Sequence, residues 1–97
     1  MPKTAELANH IIELVAEELD VPKESILSKS RKAEIVDARH MAIKLLHSKD
    51  IYPKRIAEVF GITTRSVHYI ISNFDNRIGV NKSLKLSYEA LKRKINL

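Results

Sequence analysis

The chain has 97 residues, 44% of them hydrophobic, with 17 Lys and Arg against 12 Asp and Glu and no cysteine. That length accommodates one domain with a modest core, and the lack of cysteine excludes a disulfide framework, a thiolate metal site and a cysteine nucleophile. No apolar run approaches the ~18 residues of a membrane span, and the first residues lead into a charged amphipathic stretch instead of a signal peptide.

In chain order, Thr4 is placed to cap a first helix over residues 4–19. Leu7, Ile11, Leu14, Val15 and Leu19 form its apolar face, with Ala8 and Ile12 beside it, and Glu6 falls in the first turn, where a carboxylate favours the helix dipole. Asp20-Val-Pro22 ends it, because Pro22 disfavours a helical conformation at Val21. A short helix over residues 22–27 follows, with Ile26 and Leu27 turned inward. Residues 28–32, Ser-Lys-Ser-Arg-Lys, have no apolar periodicity and read as a loop. Its two hydroxyls and three cations suit phosphate contact, and an arginine on such a loop can enter a minor groove. A solvated connector is the plain alternative.

Residues 33–47 carry the longest helical pattern, with Ile35, Val36, Arg39, Ala42, Ile43, Leu45 and Leu46 covering much of its surface, so this helix is expected to be central. Arg39 lies between apolar positions and pairs either with Asp37 or another acid inside the fold, or with a phosphate. Residues 48–53 connect onward, and Pro53 suits the first turn of the next helix. Residues 55–71 then read as two short helices joined by a tight turn. Ile56, Ala57, Val59 and Phe60 supply the apolar face of the first, and Ala57 is small enough for a close crossing. Gly61 stands where a left-handed residue ends a helix, and Thr63 or Thr64 caps the next. Val67, Ile70, Ile71 and Phe74 make one buried face of that helix, and the whole spacing is that of a helix-turn-helix over about residues 54–76. Gly79 is placed to close the second helix from beyond its end. Asn81 or Ser83 caps a final helix over about residues 81–96, with Leu84, Tyr88, Leu91 and Ile95 as its stripe and Lys82, Lys85, Lys92, Arg93 and Lys94 around the rest.

With Val67 in the core, steps of ~100° put Arg65, Tyr69, Ser72 and Asn76 on the outer face of the second motif helix, flanked by His68 and Asn73. All can bond base edges or phosphates. The charge distribution agrees. Residues 1–28 carry two lysines against six carboxylates, net −4, whereas residues 29–97 carry fifteen cations against six carboxylates, net +9. Clustered positive charge suits a polyanion, because neutralising phosphates releases condensed counterions.

Other chemistry has little to stand on. His40 and His47 share a helix face, but no carboxylate or thiol completes a ligand set, so no metal and no cofactor is expected. Glu17, Glu18 and Asp20 crowd a solvated helix end without a pocket. There is no phosphate-binding glycine loop and no nucleophile elbow, so the chain is not read as an enzyme.

Over about Ile11 to Ile78, some 70% of the chain, the sequence resembles the C-terminal DNA-binding domain of DnaA, the bacterial chromosomal replication initiator. The motifs are Ile26-Leu-Ser-Lys-Ser-Arg31, Ala38-Arg-His-Met-Ala42 and Ile56-Ala-Glu-Val-Phe-Gly61, with residues 15–27 similar to that family's linker helix and its short successor. The resemblance implies that the family's minor-groove arginine falls on Arg31, its neighbouring lysine on Lys29 and its central-helix arginine on Arg39. The family's recognition helix opens with Gly-Arg-Asp-His-Thr-Thr-Val. Here the corresponding run is Gly61-Ile-Thr-Thr-Arg-Ser-Val67, with only the Gly and Val kept, and the turn before it is one residue shorter. The scaffold is similar and the base-reading residues differ, so the family's DNA site is not carried over.

The expectation is an all-α, single-domain protein spanning residues 1–97, of about six helices, that binds double-stranded DNA in the cytoplasm, at the nucleoid. Arg65 is the candidate for a bidentate contact to guanine. Thr63, Thr64, Ser66, His68 and Tyr69 contact bases or phosphates near the helix start, Lys29, Arg31 and Lys32 hold the adjacent backbone or minor groove, Lys54 and Arg55 lie on phosphates, and Arg39 is counted among the DNA-binding candidates with its internal pairing still open. The competing expectation is a protein-interaction module that has kept the fold and lost DNA binding, meeting its partner through the N-terminal or the C-terminal helix. The length leaves no room for an ATPase domain. A stand-alone relative and a fragment of something larger are both open, with Met1 favouring the former.

Overall fold

The computed structural model describes residues 2–96, with side chains from Thr4 to Ile95. Six helices run through it: α1 (Pro2–Leu19), α2 (Lys23–Ile26), α3 (Ala33–Ser48), α4 (Pro53–Phe60), α5 (Thr64–Gly79) and α6 (Lys82–Asn96). No strand occurs among the described residues. None of the described helices is long and apolar enough to cross a membrane.

The central helix is α3, which touches all five others. Ala38, Met41, Ala42, Ile43, Leu45 and Leu46 are fully shielded from solvent. Ala38 and Met41 were absent from the expected face. They complete the girdle because a helix packed on several sides buries more than one stripe. Ile11, Ile12 and Val15 of α1, Ile26 of α2, Ile56 of α4, Val67 and Phe74 of α5, and Leu91 of α6 converge on the same core. Each such aliphatic or aromatic side chain contributes about 1.5–3 kcal/mol by leaving water. Phe74 and Tyr88 lock α5 to α6 edge to face, with ring centroids 4.9 Å apart at 63°, and the Lys92 ammonium lies 5.1 Å from the Tyr88 ring centre.

Three helices end the same way. After α1, α3 and α4 the chain passes through a left-handed residue: Asp20 (φ 54°), Asp50 (φ 65°) and Gly61 (φ 64°). The next N–H then reaches back five residues, Val21 to the Ala16 carbonyl at 3.0 Å, Ile51 to Leu46 at 3.3 Å and Ile62 to Ala57 at 3.0 Å. This is the Schellman closure, which satisfies carbonyls that the helix itself leaves free.

Several local expectations are corrected. The first helix begins at Pro2, so Thr4 lies inside it and not at its cap, and its first turn holds no carboxylate, which leaves Glu6 one turn further in. Val59 is 37% exposed, because it lies on the outer side of α4 while Ile56, Ala57 and Phe60 face the core. Gly79 is the last residue of α5 with ordinary backbone geometry, and Val80 follows it as the cap. At the two alternative caps, Thr63 holds the α5 start and Asn81 the α6 start, its Oδ1 accepting from the Leu84 N–H at 3.1 Å.

Candidate nucleic-acid interface

The turn between α4 and α5 is built by two residues. Gly61 takes the left-handed conformation that a β-carbon disfavours by ~1 kcal/mol or more. Thr63 is extended and its Oγ1 accepts the Ser66 N–H at 3.0 Å, while its hydroxyl donates to Ser66 Oγ, also at 3.0 Å. Thr63 thereby spends both its donor and an acceptor on the helix start. Thr64, Arg65, Ser66, His68 and Tyr69 are all exposed, as are Ser72, Asn73 and Asn76 further along. Tyr69 is 68% exposed, a large aromatic left in water on the same face as Arg65. The opposite face carries the buried Val67, Ile70, Phe74 and Ile78, so the polar face is set by where the core is.

The basic loop is a built structure. Ser28 Oγ donates to the Ser25 carbonyl at 2.6 Å and accepts from the Ser30 N–H at 3.1 Å, and Ser30 Oγ accepts from the Lys32 N–H at 3.3 Å. The Ser28 hydroxyl proton is thus spent on the loop backbone, whereas Ser30 accepts there and keeps its own proton to donate. Arg31 and Lys32 point outward, exposed. Lys29 Nζ crosses to the helix-turn-helix and donates to the Gly61 carbonyl at 2.8 Å, which joins positions 32 residues apart in sequence. The loop therefore lies directly beside the turn that leads into α5.

Arg39 resolves against the acid. Its Nε donates to the Ile26 carbonyl at 2.9 Å and its Nη2 to the Ser28 carbonyl at 2.7 Å, with the Ser25 carbonyl at 3.4 Å. It seals the open end of α2 and fixes the loop entrance, and burial lowers its pKa. Asp37 instead meets Arg77, Nε to Oδ1 at 2.7 Å, tying α3 to the far end of α5. Arg77 was overlooked in the sequence. The signal was its register: three residues after Phe74 and seven after Ile70, it borders the buried face, where an arginine needs a partner. Between these groups stands His40, half-buried, its pKa lowered to about 4 by burial first and then by Arg77 and Arg39, against an opposing pull from Asp37.

Lys54 and Arg55 are exposed at the opposite end of α4, and Arg55 lies 3.8 Å from Glu58. Eight helical residues separate the two ends of α4, about 12 Å at 1.5 Å per residue. These two cations thus form a second basic point, next to the 77% exposed Tyr52, and do not join the cluster at the turn.

Comparison with known proteins gives this geometry a lineage. Residues 8–72 match the family described as the bacterial dnaA protein helix-turn-helix. The chain is 36% identical over 90 residues to the chromosomal replication initiator protein DnaA of Nautilia profundicola, covering 90% of this chain and 20% of that protein. It is 32% identical over 87 residues to the DnaA of Leptospira biflexa serovar Patoc, covering 89% of this chain and again 20% of that protein. The chain spans about a fifth of the length of these relatives. With α4 and α5 forming the matched helix-turn-helix and the basic loop bonded to its turn, the chain belongs to the bacterial DnaA helix-turn-helix family.

Proposed function

We propose that this chain binds double-stranded DNA, with α5 in the major groove and the loop of residues 28–32 on the neighbouring backbone or minor groove. The observation that carries this reading is the join between loop and turn. The Lys29–Gly61 bond brings the loop that carries the exposed Arg31 and Lys32 to the turn that leads into α5, where Arg65 is exposed. In this reading Arg65 reads a base, with the guanidinium fork matched to guanine O6 and N7. Ser66, whose oxygen already accepts from Thr63, turns its own proton outward to an acceptor, and Thr64, His68 and Tyr69 contact bases or phosphates nearby. Thr63 and Arg39 serve as positioning residues. Lys54 and Arg55 neutralise phosphate at the other end of α4.

Sequence preference follows from residues 63–66, which differ from the family pattern, so the target is this chain's own. The relatives are replication initiators by name, and the part proposed for this chain is the recognition of DNA in a process of that kind. The test is binding to random duplex over a range of salt, followed by selection from a randomised duplex pool. We expect affinity to fall steeply with salt and a defined site to emerge. Negligible binding at low salt would sink the reading. The alternative, a protein-interaction module on the same scaffold, is favoured by one observation: Val80 is 91% and Leu86 58% exposed at the α5–α6 corner.

A further inference from the structure

We infer that Lys29 acts as a strut between the two DNA-contacting parts, fixing the spacing of the loop and the recognition helix, and not as a phosphate ligand. The inference rests on the DNA-binding reading above. Four observations lead to it. The ammonium donates to the Gly61 carbonyl at 2.8 Å, within the range of a charge-assisted bond. Gly61 is the left-handed residue after α4, and among the described turn and cap bonds no backbone N–H donates to its carbonyl, so Lys29 supplies the hydrogen bond that acceptor lacks. A cation there also meets the negative end of the α4 dipole. Finally, the rest of the loop is already ordered from the other side, by the Ser28 and Ser30 turns and by Arg39 on the Ile26 and Ser28 carbonyls. The strut is the one described hydrogen bond from this loop to the helix-turn-helix.

Its consequence is rigidity ahead of binding. A loop anchored only to α2 and α3 would have to find its place relative to α5 on the DNA, and ordering at that moment weakens affinity. With the strut in place, a side chain entering one groove and a helix lying in the next are set at one separation before contact. A substitution that removes the ammonium but keeps the stem is Lys29→Met. Lys29→Arg keeps a cationic donor able to reach the carbonyl.

The experiment has two arms. Without DNA, backbone amide order parameters of residues 29–32 are measured by NMR in the parent chain, Lys29→Met and Lys29→Arg. We expect the Met variant to loosen the loop towards flexible values and the Arg variant to restore it. With duplex DNA, we expect Lys29→Met to bind roughly threefold to tenfold more weakly, with the slope of affinity against salt unchanged, and Lys29→Arg to recover most of the loss. A slope smaller by about one would make Lys29 a phosphate ligand and overturn the inference. Unchanged loop order would overturn it as well. If the parent chain itself fails to bind duplex, the DNA reading fails separately, and the DNA-free arm still decides whether Lys29 holds the loop to the turn.

Discussion

Replacing Arg39 by Met tests whether the basic loop is held from within. The perturbation keeps an unbranched stem of similar bulk, so packing beside α2 is retained while the guanidinium is lost. Two short bonds disappear, to the Ile26 carbonyl at 2.9 Å and the Ser28 carbonyl at 2.7 Å, and the one to Ser25 at 3.4 Å is marginal. A hydrogen bond from a charged donor contributes about 1.5–3 kcal/mol when shielded. Arg39 is only half-buried and water replaces part of each bond, so about 1 kcal/mol apiece is the appropriate scale, or about 2 kcal/mol together. For a chain of this size that corresponds to a fall in melting temperature of roughly 8–16 °C. Thermal and urea unfolding followed by far-ultraviolet circular dichroism measure it directly. Arg39→Lys should recover at most half, because one ammonium cannot span both carbonyls as the planar fork does. A loss below about 0.5 kcal/mol, together with a salt slope of DNA binding reduced by one, would show that Arg39 is a phosphate ligand and refute the reasoning.

Arg65→Ala should relax preference at one base position, at a cost of ~1–3 kcal/mol there, as read by a repeated duplex selection; an equal loss on every sequence would make Arg65 a phosphate contact. Lys32→Ala should weaken all sequences alike and shrink the salt slope by about one, and an unchanged slope would remove Lys32 from the interface. His40 has its pKa lowered from 6.5 to about 4, so the unfolded imidazole takes up a proton that the folded one refuses. Its contribution is complete above pH ~6.5, drains away as pH falls towards 4 and levels off below. Allowing for partial exposure this is about 1–2 kcal/mol, and urea titrations of His40→Gln should lack that part of the pH dependence. Asp50→Gly removes a β-carbon from a left-handed residue and a carboxylate from the C-terminal end of α3, so it should stabilise by about 0.5–1 kcal/mol, whereas Asp50→Ala should not; equal melting temperatures for the two would disprove that backbone strain decides there.

Apolar spacing makes the helices readable, because each must bury one face and a period of 3.6 leaves that face in the residue order. Val67, Ile70 and Phe74, with Gly61 before them, identify the helix-turn-helix on those grounds alone. The outward set of Arg65, Ser66, His68 and Tyr69 follows from the same register. Helix ends were less readable. Gly79 has the residue type of a terminator but continues α5, while Asp20 and Asp50 take left-handed turns that the spacing of apolar residues does not reveal. What ends a helix is the chain's next direction, which is a tertiary matter.

The loop divides most sharply between the two levels. Its charge and its lack of periodicity are plain in Ser28-Lys-Ser-Arg-Lys32, and so is its kinship with the DnaA pattern. Which of those groups face outward is not. Ser28 and Ser30 turn to their own backbone, Lys29 goes to a carbonyl 32 residues away, and Arg39 takes carbonyls in place of Asp37. By itself the sequence determined the helices, the motif and the positive charge, because local periodicity and composition suffice for these. Only the tertiary structure decided which cations are engaged within the fold and which stand free, because a carbonyl acceptor leaves no mark of its own in the sequence and finds its donor only once the helices have packed.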